Sequence, residues 1–410
     1  MEVKCSPHIS AASMQEALAC VHCGLCTQYC PTYLVTGRET ANPRGRLWTM
    51  RALGEGRLQP TPAVLAELDN CLVCRACESV CPSSVQYAHV IGSVRALTRK
   101  RGLARRLSFK VLESPALLRM VAALLRVWQR TPLHHMRALL PRRLQHMEAC
   151  LPPVPAAGER QALPALTPAV GVRRGTVGLL EGCVMSVLFA DVNRDTVKLL
   201  AHAGYEVRVP QGQGCCGALH EHDGDAAGAR RLLQRNAAAF GAAMLDAIVM
   251  NSSGCGAAFH DATHHLGTAG ADLQRLSVDA LRFLLDHGEQ LRFHPYAGTV
   301  TWDAPCHLQH AQQETSAPLQ LLRRVPGLHL VEMHDAALCC GAAGVYNLDH
   351  PQMSAAILAG KLDSLAATGA TLLLSSNPGC LLQWRRGVAE RGLPVEVQHP
   401  LTFLARLLRP

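Results

Sequence analysis

The strongest constraint on this chain is a spaced set of four cysteines that occurs twice near its N-terminus. In each set the first three cysteines stand three residues apart, three residues separate the third from the fourth, and a proline follows at once. The two sets are Cys20, Cys23, Cys26, Cys30 with Pro31, and Cys71, Cys74, Cys77, Cys81 with Pro82. A cubane iron-sulfur cluster needs four thiolates from four directions, and three cysteines at this spacing wrap only one corner of it. The sets therefore predict two [4Fe-4S] clusters.

The fourth cysteine of such a set is expected to bind the cluster of the other set. On that rule the first cluster is held by Cys20, Cys23, Cys26 and Cys81. The second cluster is held by Cys71, Cys74, Cys77 and Cys30. The alternative is zinc, because paired CxxC elements also form sites with four thiolates. A zinc ribbon requires neither the third closely spaced cysteine nor the proline, so the spacing favours clusters.

The segment between the two sets is long and has helical patterning. In residues 45–53 and 62–68 apolar positions recur at intervals of three and four. This pattern favours a helical ferredoxin domain over residues 1–98, in place of the compact kind that contains β-structure.

The chain does not need its cysteines to compensate for a small hydrophobic core, because 410 residues suffice for two or three domains. The first ten residues contain no apolar stretch of the kind found in a secretion signal, so we expect a cytoplasmic protein with reduced thiols. A membrane-spanning helix needs about 18 consecutive apolar residues. The best candidate, Ala116 to Trp128, is interrupted by Arg119 and Arg126.

The formal net charge of +9 arises in one segment of the chain. Residues 99–150 contain twelve Lys and Arg residues against two Glu, and a Pro-rich run over 151–168 follows. We interpret residues 99–175 as a basic helical linker and a connector. Its basic face has three interpretations: a solvated surface, a dock for a partner subunit, or a contact with an anionic membrane surface. Nucleic-acid binding is not expected, because aromatic residues make up only 4% of the chain and no recognised motif is present.

From about residue 176 short apolar runs alternate with helix-length segments, which is typical of α/β folds with parallel sheets. Four cysteines in this part recur with offsets of 123, 124, 124 and 125 residues. They are Cys183, Cys215, Cys216 and Cys255, and then Cys306, Cys339, Cys340 and Cys380. The repeat predicts two tandem α/β modules, over residues 176–295 and 296–410.

Cysteines at the ends of parallel strands would converge at the carboxyl edge of the sheet, where α/β folds bind ligands. A glycine follows each vicinal pair and would let the backbone pass close to a bulky ligand. We therefore favour a metal or redox role for the eight cysteines over simple burial. Cys5 and Cys150 lack partners in register, and we interpret them as small buried residues. A histidine next to a cysteine is more often a coincidence than a metal ligand, and we interpret His307, beside Cys306, in this way.

Other catalytic signals are missing from the sequence. We find no GxGxxG that opens a helix after a strand, no phosphate-binding GxxxxGK[ST], and no nucleophile with an evident base. The chain thus offers sites for electron carriers without a visible substrate site.

Several segments resemble a known family: CVHCGLCTQYCPTY, NPRGR, LEGC, GCCGA, SGCGA, PCHLQHAQ and LCCGAAGVYNLDHP. Together they resemble the glycolate oxidase (glycolate dehydrogenase) iron-sulfur subunit. The resemblance implies that glycolate is oxidised to glyoxylate at FAD held by separate flavoprotein subunits. It implies that this subunit relays electrons towards a membrane acceptor such as quinone, with peripheral contact at the inner face of the cytoplasmic membrane.

Related families include heterodisulfide reductase subunits, lactate-utilisation proteins and the third subunit of anaerobic glycerol-3-phosphate dehydrogenase. In the heterodisulfide reductase type each cysteine-rich module ends in CxxC and can hold a noncubane cluster. Here Cys255-Gly-Ala-Ala and Cys380-Leu-Leu-Gln lack the last cysteine. Four thiols per module permit an additional iron-sulfur centre of a four-ligand kind. The alternative functions are a lactate or glycerol-3-phosphate dehydrogenase subunit, or a protein that reduces disulfides.

Overall fold

The computed structural model describes residues 10–99, 102–132 and 152–409, together with residues 139, 141, 144, 145 and 148. Within these ranges the chain forms a helical N-terminal domain, a pair of basic helices and two α/β modules. The predicted fold class, a helical ferredoxin domain followed by two modules with parallel sheets, is confirmed. Cys5 and Cys150 lie outside the described residues.

The N-terminal domain is built from short helices around the two cysteine loops. They are α1 (Ala11–Leu18), α2 (Pro31–Thr36), α3 (Pro43–Gly54), α4 (Pro62–Asp69), α5 (Ala76–Ser79) and α6 (Tyr87–Thr98). Local sequence fixes where α3 and α4 start, because Asn42 and Thr61 cap their first turns and a proline follows each cap. Their apolar faces meet α1 and α6 around Met50, Leu53 and Ile91. The two helices predicted from periodicity are thus present.

Two basic helices connect the N-terminal domain to the modules. They are α7 (Leu103–Glu113) and α8 (Pro115–Arg130), which pack against each other. Ala122 on α8 is buried against Val154 and Val187 of the following segments. Among the helices of the described residues, none is both long enough and apolar enough to span a bilayer.

The first module has a five-stranded sheet in the order β1-β3-β2-β4-β5, in which every pairing except β1 with β3 is parallel. Its elements are β1 (Leu166–Thr167), β2 (Gly175–Leu179), α9 (Val184–Leu188), α10 (Ala190–His202), β3 (Tyr205–Arg208), α11 (Ala218–His222), α12 (Ala226–Gly241), β4 (Ala247–Met250), α13 (Ser253–His260), α14 (Ala262–Leu266), α15 (Ala271–Leu276), β5 (Ser277–Asp279) and α16 (Ala280–His287). The strands β2 and β4 are buried on both faces, which explains their nearly continuous apolar sequences.

The second module repeats this plan in a four-stranded parallel sheet with the order β7-β6-β8-β9. Its elements are β6 (Thr299–Trp302), a π-helical turn (His307–Ala311), α17 (Ala317–Leu322), β7 (His329–Val331), α18 (Tyr346–Asp349), α19 (Pro351–Ala367), β8 (Leu372–Leu374), α20 (Pro378–Arg391), β9 (Glu396–Gln398) and α21 (Pro400–Leu407). The order matches β3-β2-β4-β5 strand for strand, as the repeated cysteines indicated.

The extra strand β1 lies inside the segment predicted as a connector. Leu166 and Thr167 pair antiparallel with Arg208 and Val207 at the edge of the first sheet. A two-residue strand carries too little periodicity to be recognised from sequence, and it forms because β3 offers an unpaired edge.

The two modules share one hydrophobic core. The helices α10 and α21, one from each module, pack closely, and residues such as Leu199 and Phe403 belong to the same buried cluster. His399 donates its Nε2 hydrogen to the carbonyl of Asn251 at 2.9 Å, across the boundary between the modules. Burial lowers the pKa of His399 to about 3, so the ring is neutral and this bond persists.

Candidate metal centres

The two cysteine loops of the N-terminal domain have positive φ angles at the same two positions. In the first loop His22 and Gly24 have φ of 55° and 85°, and in the second Val73 and Arg75 have φ of 52° and 66°. These are the second and fourth positions after the first cysteine of each set. Positive φ is uncommon outside glycine and costs energy, so its repetition marks a conformation required by function.

The first loop meets the last cysteine of the second set. Cys20, Cys23, Cys26 and Cys81 line one cavity of about 30 Å³, which Cys77 also borders. Burial raises the pKa of Cys26 to about 11. The structure thus brings together the four cysteines predicted for the first cluster, although Cys81 is far from the other three in sequence.

The second loop meets the last cysteine of the first set. Burial raises the pKa of Cys74 and of Cys77 well above the usual value, and the nearby thiols Cys30 and Cys71 contribute to both shifts. Cys71 accepts a hydrogen bond from the hydroxyl of Tyr87 at 3.7 Å. The four cysteines predicted for the second cluster therefore lie together as well.

A buried cation stands beside this second set of thiols. The Arg46 guanidinium is almost fully buried, and its Nη1 lies 3.9 Å from the Sγ of Cys30. Its Nη2 donates to the hydroxyl of Thr32 at 3.1 Å and to the carbonyl of Asn70 at 3.0 Å. A [4Fe-4S] cluster with four thiolates is negatively charged, and an unpaired buried guanidinium would be costly. Arg46 therefore fits a cluster at this position.

A single metal ion fits less directly. Across the parts of the chain that the structure describes, no three His, Cys, Asp or Glu side chains are grouped so that they could hold one ion. In a cubane cluster each thiolate binds a different iron atom, so the four ligands surround a larger volume than the ligands of a single ion.

The eight repeated cysteines of the α/β modules all line one cavity of about 190 Å³. They are Cys183, Cys215, Cys216, Cys255, Cys306, Cys339, Cys340 and Cys380. The first and last cysteine of each module follow the carboxyl ends of central strands, as expected for α/β folds. The sequence suggested one site per module, whereas the structure joins the two sets at the boundary between the modules.

Thiols within each set share hydrogen bonds. The Sγ of Cys183 lies 3.5 Å from that of Cys215, to which it donates, and this bond together with burial raises the pKa of Cys183. Bonds donated by Cys183 and Cys216 lower the pKa of Cys215 well below its usual value. In the second set, bonds from Cys339 and Cys380 lower the pKa of Cys340. Each set thus contains a thiol that ionises readily, which is the form that binds metal.

The glycines after the vicinal cysteines are required by packing against a helix. Gly217 and Gly341 have φ of 92° and 85°. A Cβ on Gly217 would lie 3.1 Å from the Cα of Ala229, and one on Gly341 would lie 2.8 Å from the carbonyl oxygen of Ser354. The close approach that the sequence suggested is therefore to α12 and α19.

Most of the polar side chains around this cavity were not expected from the sequence. His307 donates its Nε2 hydrogen to the carbonyl of Val73 at 3.1 Å, so that nitrogen is not free to bind a metal. Its ring lies 5.0 Å from that of His222, which lines the same cavity. Burial lowers the pKa of both rings. No spacing in the sequence connects His222 with His307.

The second ferredoxin loop packs directly on the second module. Leu72 and Cys74 share a small apolar cluster with Cys306, Cys339 and Tyr346. The hydroxyl of Tyr346 donates to the side chain of Asn70 at 2.5 Å. The proposed second cluster and the cavity with eight cysteines are therefore neighbours.

Comparison with known families agrees with this division of the chain. Residues 16–85 match the 4Fe-4S dicluster domain, and residues 177–260 and 300–385 match the cysteine-rich domain called CCG.

Comparison with individual proteins covers nearly the whole chain. It is 35% identical to a probable glycolate oxidase iron-sulfur subunit of Bacillus subtilis, over 93% of this chain and 91% of the relative. It is 30% identical to the glycolate oxidase iron-sulfur subunit of Escherichia coli, over 88% of each protein. It is also 27% identical to lactate utilization protein A of Halalkalibacterium halodurans, over 54% of this chain and 93% of the relative.

Proposed function

The chain belongs to the family of glycolate oxidase iron-sulfur subunits, and from that premise we propose that it carries electrons in a flavin-dependent dehydrogenase of glycolate or a related 2-hydroxy acid. In this proposal FAD is held by partner flavoprotein subunits. The chain itself contributes no substrate site and moves electrons from that flavin towards a membrane acceptor such as quinone.

The observation that carries the proposal is the row of thiol-lined sites through the molecule. The first loop shares a cavity with Cys81, the second loop lies with Cys30, and Leu72 beside that loop borders the cavity with eight cysteines. When bound, a [4Fe-4S] cluster accepts and gives up one electron at a time. The side chains of this protein would hold two clusters and offset the charge of the second with Arg46.

The cavity with eight cysteines is proposed as the site of a further iron-sulfur centre. Its thiols include two with a lowered pKa in the first set, Cys215 and Cys255, and one in the second, Cys340. Four thiols in each module supply a complete set of ligands for a four-ligand centre. A role as a scaffold for docking is the alternative.

The second candidate function keeps the electron carrier and changes the substrate to lactate or glycerol 3-phosphate. The similarity to lactate utilization protein A favours lactate among these. Because the proposal assigns specificity to another subunit, the residues of this chain do not separate the substrates. A disulfide-reducing activity is less well supported, since each module lacks the terminal cysteine of the CxxC element.

The basic helices α7 and α8 are proposed as a dock for a partner subunit or for the membrane surface. One face of α8 leaves Leu117, Met120, Val121, Leu124 and Val127 exposed, at the spacing of a single helical stripe. Residues 103–130 also carry six Lys and Arg residues against one Glu. An apolar stripe with basic flanks suits an interface with lipid headgroups. If the protein fractionates with the soluble proteins when its partners are deleted, the stripe docks a subunit.

The test is anaerobic isolation of the complex through a tag on this chain, with analysis of iron and acid-labile sulfide. We expect about eight iron atoms from the N-terminal domain, four for each cubane. Electron paramagnetic resonance should then show reduced clusters after addition of glycolate, and smaller signals after D-lactate or glycerol 3-phosphate. Zinc without sulfide would contradict the proposal, and reduction by lactate alone would move it to the second candidate.

A further inference from the structure

The two ferredoxin loops share two positive φ angles but have opposite surroundings. Val21 follows the first cysteine of its loop and is 66% exposed, whereas Leu72 at the same position of the second loop is 3% exposed. Leu25 is 49% exposed, and its counterpart Ala76 is 3% exposed. One loop thus leaves open to solvent the face that the other loop buries.

The second α/β module covers the apolar side of the second loop, and Asp261 of the first module pairs with Arg75 of the same loop. Leu72 packs against Tyr346 and Ile357, and His307 bonds to the carbonyl of Val73. This cover lets the proposed second cluster meet the cavity with eight cysteines through a thin layer of protein. The matching face of the first loop has no such cover within the described residues.

We propose that the bare face of the first loop, residues 21–25, docks the flavoprotein subunit that supplies electrons. This inference rests on the proposed function and adds the place where electrons enter. Electron tunnelling falls steeply with distance, so a cluster exchanges electrons where the protein around it is thinnest. Cys23 is the one cysteine of the two predicted ligand sets that is exposed, and it lies at the centre of this face.

The chemistry of the face suits a protein partner. Val21 and Leu25 supply the apolar centre that protein interfaces have. Arg44, beside Gly24, is already paired with Glu39, its Nε lying 2.7 Å from the carboxylate, so the guanidinium at this edge of the face is neutralised. Such an edge gives anionic lipid no attraction. A second copy of this chain would bring two first loops together and supply no electron donor.

The direction of flow follows from this placement. Two electrons would leave the reduced flavin of the partner one at a time, and its protons would pass to solvent. Each electron would reduce the first cluster and would then pass to the second cluster, beside Cys306 and Cys339.

The experiment compares Val21→Glu and Leu25→Glu with the control Val172→Glu in the tagged full-length chain, isolated anaerobically with its complex from its own cells. Val172 is 86% exposed and precedes β2 at the end of the sheet opposite the cysteines. A charge at the centre of an apolar interface opposes binding, whereas one on a free surface does not. We expect flavin per iron to fall at least tenfold in both loop variants and to stay unchanged in Val172→Glu.

Unchanged flavin per iron in the loop variants would overturn the docking site and leave the proposed function intact. Absence of flavin from the wild-type complex would overturn both. If a loop variant loses iron, photo-crosslinking from benzoylphenylalanine at position 21, with position 172 as the control, decides the question. A crosslink from position 21 to a protein that contains flavin supports the proposal, and a crosslink to a second copy of this chain or to lipid contradicts it.

Discussion

The two α/β modules follow one backbone plan but surround their cysteines with different charges. In the first module Asn236 on α12 donates to the carbonyl of Cys215 at 2.9 Å and accepts from the amide of Gly214 at 3.0 Å. In the second module Lys361 on α19 donates to the carbonyl of Leu338 at 2.6 Å. Each side chain is buried and holds the backbone that leads into its vicinal cysteines. The first module holds this backbone with the neutral amide of Asn236, and the second holds it with the ammonium of Lys361.

The two side chains occupy equivalent positions. Each stands seven residues, about two helical turns, after the residue on which the glycine of its module rests, which is Ala229 in α12 and Ser354 in α19. The structural role has therefore been kept while the charge has changed.

The second module also supplies a counterion. The Oδ1 of Asp303 lies 2.7 Å from the Nζ of Lys361, and its Oδ2 accepts from the hydroxyl of Ser375 at 3.0 Å. The first module has Leu180 three residues before its first cysteine, where the second has Asp303. Burial opposes the charge of Lys361, but the Asp303 carboxylate raises the pKa of Lys361 above its usual value, whereas burial raises the pKa of Asp303 and Lys361 opposes that shift.

The difference shows that a repeat can keep its geometry while its electrostatics diverge. Lys361 acts on Cys340 and Cys380 of the second module, whereas the equivalent position of the first module holds the neutral side chain of Asn236. The module with the ion pair packs on the second ferredoxin loop through apolar contacts, whereas the first module reaches that loop through the ion pair of Asp261 with Arg75. We therefore expect the two halves of the cavity to differ in their affinity for electrons.

The largest effect is expected from breaking the ion pair. Lys361→Met leaves the Asp303 carboxylate buried without its partner, so the free energy of unfolding should fall by about 3–5 kcal/mol. Denaturant unfolding of the anaerobic protein measures this. Lys110→Met is the control, because that lysine is exposed and its ion pair with Glu113 contributes at most about 1 kcal/mol. A loss no larger than that of the control would contradict an ionised pair.

Removing both charges should recover the part of that loss that comes from the unpaired carboxylate. Asp303→Leu combined with Lys361→Met gives the second module the neutral surroundings of the first, and a well-packed apolar pair often replaces a buried ion pair without cost. We expect the double variant to lose less than Lys361→Met, with a remaining loss of about 1–3 kcal/mol because the carbonyl of Leu338 stays without its donor, as a double-mutant cycle would show. If the losses in the free energy of unfolding of the two single variants add up to that of the double variant, the two side chains act independently.

The neutral tether of the first module should matter less. Asn236→Leu leaves the amide of Gly214 and the carbonyl of Cys215 without this partner, which costs about 1–3 kcal/mol. The same unfolding measurement applies. A larger loss in the free energy of unfolding than that of Lys361→Met would contradict the difference expected between the two modules.

The smallest effect is expected at the residue after the first cysteine of each module, which is Val184 in one and His307 in the other. His307→Val removes the hydrogen bond to Val73 and should cost about 0.5–1.5 kcal/mol. Hydrogen exchange should become faster in residues 71–77 and stay unchanged in the control His334→Val, whose side chain is exposed. Equal exchange in the two variants would show that this contact does not hold the loop.

Local patterns in the sequence predicted much of the fold. The helices α3 and α4 follow from apolar periodicity with an Asn or Thr cap and a proline. The matching strand orders of the two modules follow from the repeated cysteines, because a repeated sequence adopts a repeated topology. The crossed assignment of Cys30 and Cys81 rests on spacing and stays a prediction.

Contacts between distant segments could not be predicted. Asp303 directly follows β6, Lys361 lies in α19, and neither lies in a motif. The joining of two cysteine sets into one cavity depends on how the modules pack, and so does the contact of His307 with the second ferredoxin loop. Such contacts are set by tertiary packing, about which local periodicity carries no information.

The most direct test of the whole account is the iron lost by two double variants relative to the wild type. Cys30→Ser with Cys71→Ser removes two ligands of one cluster if the last cysteines are exchanged, so about four iron atoms should be lost. Cys30→Ser with Cys20→Ser then removes one ligand from each cluster, and about eight should be lost. The reverse result, with the larger loss in the first variant, would contradict the exchange of thiolates between the two loops.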